Sequence, residues 1–159
     1  MIEPLIRSTN EARSSFLRVE SFTLLSALYN IHKQSNAPQE EIKSLQDAIP
    51  SISKAVSTAC YEEDMTKSKR FRLVLQATEI VTKFASNHSS LTVWTALKEL
   101  SEPLQSVSDD TSSEPIKKLC SIITTNIKNG LEKESKNEKK DVPTSSKKKK
   151  KKSKRGKKK

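Results

Sequence analysis

Glycine and aromatic residues are scarce in this 159-residue chain, and their scarcity argues against a sheet protein. The chain has two glycines, and aromatic residues make up 4% of it. Gly130 is the sole glycine of residues 1–131, and no Asn-Gly or Asp-Gly turn separates two apolar runs. β-Hairpins depend on such turns, and strands are enriched in aromatic side chains. The composition therefore predicts an all-α chain.

Residues that could carry catalysis or bind a metal are also few. His32 and His88 lie far in sequence from Cys60 and Cys120, and no metal-site spacing accompanies them. The chain has no HExxH motif, phosphate-binding glycine loop or nucleophile elbow. Isolated cysteines in a reducing compartment are typically small buried hydrophobes, and the sole tryptophan, Trp94, is typically a core anchor. We therefore expect a non-catalytic protein with no metal and no cofactor.

Long hydrophobic runs are absent as well. No apolar stretch approaches the roughly 20 residues that cross a bilayer. The sequence Met1-Ile2-Glu3-Pro4 has the features of neither a signal peptide nor a myristoylation site. We therefore expect an intracellular, soluble protein with no membrane partner.

Positive charge is abundant, and it is confined to one end of the chain. Up to Leu131, 15 Lys and Arg balance 15 Asp and Glu, whereas residues 132–159 carry 15 basic residues and four acidic ones. The formal net charge of +11 therefore belongs wholly to this end. Like-charge repulsion and the lack of large apolar residues after Val142 oppose folding there. The sequence predicts a helical domain at residues 1–131 and a disordered lysine-rich tail at residues 132–159.

The tail predicts nuclear import and nucleic-acid binding. A run of five or more Lys or Arg fits the acidic grooves of nuclear import receptors, and a polycation releases counterions from the phosphates of RNA or chromatin. Lysine is a point charge without arginine's fork, so such binding has little sequence preference. The alternatives are a solubilising tail and a tail that contacts a membrane surface. We assign targeting and nucleic-acid binding to Lys147, Lys148, Lys149, Lys150, Lys151, Lys152, Lys154, Arg155, Lys157, Lys158 and Lys159.

Two further groups of side chains are candidate interaction sites. Serines beside the lysine run are candidate phosphorylation sites, because one phosphate cancels nearly two lysine charges. They are Ser145, Ser146 and Ser153. In the body, a basic cluster lies at the start of a predicted helix, where the helix dipole disfavours positive charge. Such a cluster is typically a solvated face, and the alternative is a contact with a partner. It consists of Lys67, Lys69, Arg70 and Arg72.

Apolar residues recur at helical spacing in five segments of the body. After a short helix or lead-in at residues 1–9, the first helix begins with Asn10 as N-cap and ends near Lys33. Its predicted apolar stripe is Ala12, Phe16, Val19, Leu24, Leu25, Leu28 and Ile31. The second helix starts at Pro38, a favoured residue near a helix N-terminus, and Pro50 must kink or split it.

Three more helices complete the body. One starts near Lys69, a short one covers residues 91–100, and the last runs from Ser113 to a C-cap at Gly130. The connections are predicted as loops at residues 61–67, 87–90 and 104–113. Helices with one apolar stripe each, joined by short loops, predict antiparallel helical hairpins. They form either a fragment of a HEAT/armadillo-like α-solenoid or a small bundle. Because a solenoid normally needs three repeats, a third interpretation is the end piece of a longer array, with its first helix exposing a face.

Three segments together resemble one known family: the helix start at residues 67–75, the short helix at residues 91–97 and the lysine-rich end. Over most of residues 16–159 the chain is similar to the C-terminal portion of the Myb-binding protein 1a / DNA polymerase phi family of helical-repeat nucleolar proteins. The resemblance implies a role in ribosomal RNA transcription and pre-ribosome assembly, in a chain much shorter than the family's members. The polymerase activity in the family's name finds no support in this sequence, since nothing resembles a metal-binding aspartate constellation.

The sequence therefore predicts a non-catalytic binding protein of the nucleus, and of the nucleolus within it, that acts in ribosome biogenesis or ribosomal RNA transcription. We expect the helical body to dock protein partners, which the sequence does not identify. We expect the tail to bind import receptors and RNA or chromatin. The alternative is a cytoplasmic, ribosome-associated adaptor that its tail tethers to RNA.

Overall fold

The computed structural model describes residues 2–11, 14–32, 36–88 and 90–141. Within these ranges the chain is helical and has no strand, as the composition predicts. The helices are α1 (Ile2–Glu11), α2 (Ser15–His32), α3 (Gln39–Tyr61), α4 (Glu63–Thr66), α5 (Phe71–Asn87), α6 (Leu91–Lys98), α7 (Ser101–Asp110) and α8 (Glu114–Asp141).

The helices pack in two layers. In one layer α5 lies between α2 and α8 and contacts both. In the other layer α3 lies between α1 on one side and the consecutive helices α6 and α7 on the other. α1 packs on α2, and α6 and α7 pack on α8. Helices that follow each other along the chain therefore alternate between the layers, apart from the single turn α4 and the pair α6 and α7.

Aromatic side chains anchor the core between the layers. The Tyr29 ring packs edge-on against Phe84, with ring centroids 5.0 Å apart, and so joins α2 to α5. The Tyr29 hydroxyl donates a hydrogen bond of 2.6 Å to the carbonyl oxygen of Leu45, which joins α2 to α3. Burial raises the pKa of Tyr29 far above its ordinary value, so this hydroxyl stays a donor. Phe22, Phe71 and Trp94 are fully buried as well.

The first part of the chain departs from the prediction. Asn10 is not an N-cap, because α1 continues to Glu11 and α2 begins at Ser15. Much of the predicted stripe of α2 lies on the outside: Phe16, Leu24 and Ile31 are exposed. The side that faces the core carries Arg18, Val19, Ser21, Phe22, Leu25 and Tyr29. Because α2 has apolar residues on both faces, periodicity alone does not identify the buried one.

Two predicted loops contain helices. Residues 61–67 include the single turn α4, which buries Met65. Residues 104–113 include most of α7, which buries Leu104 and Val107. One or two buried apolar side chains do not form a repeat that can be recognised among the polar residues around them. The predicted turn after α5 is confirmed, and Ser90 caps α6 by accepting a hydrogen bond from the backbone N–H of Val93 at 3.3 Å.

Of the two outcomes predicted for the second helix at Pro50, a kink or a split, the split is wrong. α3 runs without interruption from Gln39 to Tyr61, with Pro50 inside it. Pro50 is exposed, so its ring does not displace a core side chain. A proline here still removes the backbone N–H that would bond the carbonyl of Gln46. The core contacts along the rest of α3 hold the helix together across this gap.

The predicted C-cap at Gly130 is also wrong, because α8 passes through it and ends at Asp141. Gly130 lets the backbone of α8 approach the indole of Trp94: a Cβ at Gly130 would lie 2.3 Å from its Cε2 atom. Residues 132–141, predicted to be disordered, are helical, and Glu and Lys are interleaved along them. Glu132 precedes Lys136 by four residues, a spacing that stabilises a helix surface. Residues 142–159 of the predicted tail lie outside the described residues.

Candidate interaction surfaces

The basic cluster of residues 67–72 lies at the turn between α4 and α5. Lys67 is paired with Glu63, one helical turn earlier, and both side chains are exposed. The hydrogen bond to this lysine lowers the pKa of Glu63, and the same bond raises the pKa of Lys67. Lys69 and Arg72 are exposed, and neither has a partner among the described residues. Arg72 lies in the first turn of α5, so the two free cations sit at one end of that helix.

Arg70, the fourth residue of the cluster, holds two helices together. Its guanidinium forms an ion pair with Glu20 of α2. The guanidinium carbon also lies 4.4 Å from the centroid of the Phe16 ring, in cation–π contact. Both contacts tie the start of α5 to the start of α2. Two of the four predicted cations are therefore engaged within the chain, whereas Lys69 and Arg72 have no charged partner among the described residues.

A buried arginine on α2 has a structural role that the sequence does not signal. Arg18 is buried, and its Nε donates a hydrogen bond of 2.9 Å to the backbone oxygen of Thr9 in α1. Its Nη1 pairs with Glu62, the residue between α3 and α4. One side chain therefore connects α1, α2 and the end of α3. A single cation in an apolar helix resembles a surface residue until these distant partners are known.

The outer face of α2 is the most apolar exposed surface of the described residues. Six large hydrophobic side chains are exposed among the described residues, and four of them lie on α2. They are Phe16, Leu17, Leu24 and Ile31, with exposed fractions of 58%, 54%, 56% and 74%. Removing the rest of one such side chain from water is worth on the order of 1 kcal/mol. A helix that is apolar on both sides normally has a neighbour on both sides, so this face fits a protein contact.

The two histidines connect helix ends. His32, the last residue of α2, has its Nδ1 2.9 Å from the Leu28 carbonyl oxygen and its Nε2 2.7 Å from a carboxylate oxygen of Glu41. The backbone hydrogen bond and then the Glu41 carboxylate raise the pKa of His32. The Nε2 of His88 lies 3.2 Å from the backbone oxygen of His32. Within the described ranges, no group of three His, Cys, Asp or Glu residues has the proximity needed to hold a metal ion.

Several clefts lie on the described surface. One of about 540 Å³ lies between the end of α3, α4, the end of α7 and the start of α8. Its charged lining includes Glu63 and Lys67, which neutralise each other. Cys60 also lines it, but burial, and after it the nearby Cys120, raises the pKa of the Cys60 thiol to about 12. Burial raises the pKa of Cys120 to about 11, so both thiols stay protonated and are poor nucleophiles.

Trp94 is buried in the core, as the sequence predicts, and is not a surface for stacking bases. The predicted targeting residues and the three serines lie outside the described residues, in 142–159. None of the helices described here is long and apolar enough to span a membrane. Comparison of the chain with known protein families, curated proteins and solved structures finds no match.

Proposed function

We propose that this chain is a non-catalytic binding protein of the nucleus, and of the nucleolus within it, with two separate working parts. The helical body docks a protein partner. The lysine-rich end binds import receptors and, without sequence preference, RNA or DNA. The resemblance to the Myb-binding protein 1a / DNA polymerase phi family supports ribosome biogenesis or ribosomal RNA transcription as the setting.

The observation that carries this proposal is the separation of charge along the chain. Residues 142–159 hold eleven Lys and Arg and no Asp or Glu, so the formal charge of +11 lies entirely beyond α8. The helical part of the tail is neutral, with four basic and four acidic residues at 132–141. A polycation confined to 18 residues beside a neutral body supports an appendage that binds polyanions while the body has another task.

We further propose that the body is a short array of the HEAT/armadillo type. Three successive hairpins account for the two layers: α1 with α2, α3 with α5, and the pair α6 and α7 with α8. In such arrays the first helices of the hairpins stack in one layer and the second helices in the other. Extended helical arrays commonly serve as protein-docking surfaces, which agrees with the apolar outer face of α2.

Localisation of a tagged full-length protein and of a chain ending at Asp141 tests the proposed function. We expect the full chain to accumulate in the nucleus and the shortened chain to spread through the cytoplasm, because the import signal is lost. Nuclear accumulation of both proteins would contradict the assignment of the signal to residues 142–159. Cytoplasmic full-length protein bound to ribosomes would favour the adaptor alternative.

A further inference from the structure

The two ends of the α2–α5–α8 layer differ in chemistry. Up to Asn137, the exposed side chains of α8 are polar except for Pro115 in its first turn. Terminal helices of stacked arrays need a polar outer face of this kind. At the opposite end, α2 exposes Phe16, Leu17, Leu24 and Ile31. The outer face of α8 therefore suits contact with water, as at the end of an array. The outer face of α2 has instead the apolar character of an internal helix.

The exposed stripe of α2 is evenly spaced and symmetric. Leu17, Leu24 and Ile31 follow one another at intervals of seven residues, so they lie close to one line along the helix. The stripe covers about 21 Å at a rise of 1.5 Å per residue. Leu24 is at its midpoint. A twofold axis through Leu24 would superimpose the stripe on itself with the helix direction reversed, which is the symmetry of an isologous dimer.

Three hydroxyls and the carboxylate of α2 are already paired within the chain and do not oppose dry burial of this stripe. The hydroxyls of Ser21, Thr23 and Ser26 each donate to a backbone oxygen of α2, at 2.9, 3.0 and 2.8 Å, so they do not depend on water. The one carboxylate of the helix, Glu20, is paired with Arg70. The stripe is therefore electrically neutral. An acidic or basic helix finds no unpaired counter-charge on the stripe residues themselves, whereas a second neutral, apolar stripe does not need one.

We propose that the partner of this face is a second copy of the same chain, with the two α2 helices packed antiparallel. Leu24 of one copy then lies against Leu24 of the other, and Leu17 lies against Ile31. The α2–α5–α8 layer of one copy then continues across the axis into the same layer of the other copy. Each copy covers the exposed apolar face of the other's α2. The inference rests on the proposed docking role of the body and names its partner. It also brings two lysine-rich ends into one particle, which raises the apparent affinity for a long polyanion.

Sedimentation of the full-length protein at high salt, where nucleic acid is stripped from the tail, measures the assembly. We expect a dimer. Leu24→Glu places two carboxylates against each other and should weaken dimerisation at least about 100-fold. Leu91→Glu makes the same change at an exposed leucine of α6 and should leave the dimer intact. A monomeric wild type up to its solubility limit, including one that binds some other protein through α2, would overturn the proposal.

Cysteine cross-linking tests the antiparallel geometry. Facing helices place opposed Cα atoms within the range that a disulfide spans, and the native Cys60 and Cys120 are buried. We expect Leu24→Cys to cross-link with itself under mild oxidation. Leu17→Cys should not cross-link with itself, but should do so when mixed with Ile31→Cys. Self-cross-linking at residue 17, or none at residue 24, would refute the arrangement.

The Leu24→Glu variant also separates this inference from the proposed function. Its tail is intact, so we expect nuclear accumulation and salt-dependent binding of a short DNA duplex to persist in the monomer. Its affinity for a long duplex should fall, because one particle then carries a single tail. If the wild type dimerises but the tail binds no polyanion, the proposed function fails and the dimer stands.

Discussion

At the scale of the residue, Gly130 lies where the indole of Trp94 meets the backbone of α8. A methyl group there would come within 2.3 Å of the ring, so the ring or the helix must move. Alanine favours a helix over glycine by about 1 kcal/mol, but overpacking a core typically costs about 1–3 kcal/mol. We therefore expect Gly130→Ala to lower the free energy of unfolding in urea. Asn129→Ala, one residue earlier and exposed, is the control and should change it little. A more stable Gly130→Ala protein would show that the indole does not press on α8.

His32 makes the stability of the body depend on pH. The Leu28 carbonyl and the Glu41 carboxylate raise its pKa in the folded protein above the ordinary 6.5. A raised pKa stabilises the fold fully below about pH 6.5, and this contribution is lost as the pH rises through the folded-state pKa. The free energy of unfolding should therefore exceed that of His32→Ala by more at about pH 6 than at about pH 9. Glu41→Gln removes one of the two causes and should reduce the difference. A difference that grows with pH would contradict this account.

At the scale of the element, Pro50 is a defect that α3 tolerates. The proline leaves the Gln46 carbonyl without its helical donor, and its own side chain is exposed. Pro50→Ala should restore one backbone hydrogen bond and raise the free energy of unfolding by about 1–3 kcal/mol. Thermal and urea unfolding measure the change. A loss of stability would mean that α3 needs the proline to fit both α1 and α6.

The helices α2, α3, α5, α6 and α8 could be found from the sequence because each has an apolar stripe and a clear start or stop. Pro38 with the acids after it, Ser90, and Ser113 before Glu114 all precede helices. The helices α4 and α7 could not be found, because polar residues surround the one to three side chains that each of them buries. The end of α8 was missed because glycine is a common C-cap, and its packing against Trp94 depends on a contact 36 residues away.

The candidate surface on α2 could be predicted only in part. The predicted apolar stripe contains Phe16, Leu24 and Ile31 but places them towards the core, and it omits Leu17. Which side of α2 is buried depends on distant partners: Arg18 with Glu62, and Tyr29 with Leu45. Local periodicity contains no information about such pairs. The basic cluster could likewise be predicted only in part, because the sequence does not show that Arg70 pairs with Glu20.

At the scale of the whole molecule, the chain combines a neutral helical body with a polycationic end, for which we propose separate functions. The charge separation needs no structure, because it is counted from the sequence. The structure moves the boundary between body and basic end, because α8 extends to Asp141. Residues 132–141, which have no net charge, therefore belong to the helical body. The basic end is then residues 142–159 alone, and any specificity must come from the surfaces of the body.

Binding of a short DNA duplex across a salt series, by full-length protein and by a chain ending at Asp141, tests this claim most directly. Eleven basic residues that each contact a phosphate predict a slope of log K against log salt near −10, at about 0.9 per contact. We expect the full chain to approach this slope and the shortened chain to show no measurable binding. Binding by the shortened chain with a similar slope, or salt-insensitive binding by the full chain, would place the nucleic-acid site on the body and contradict the account.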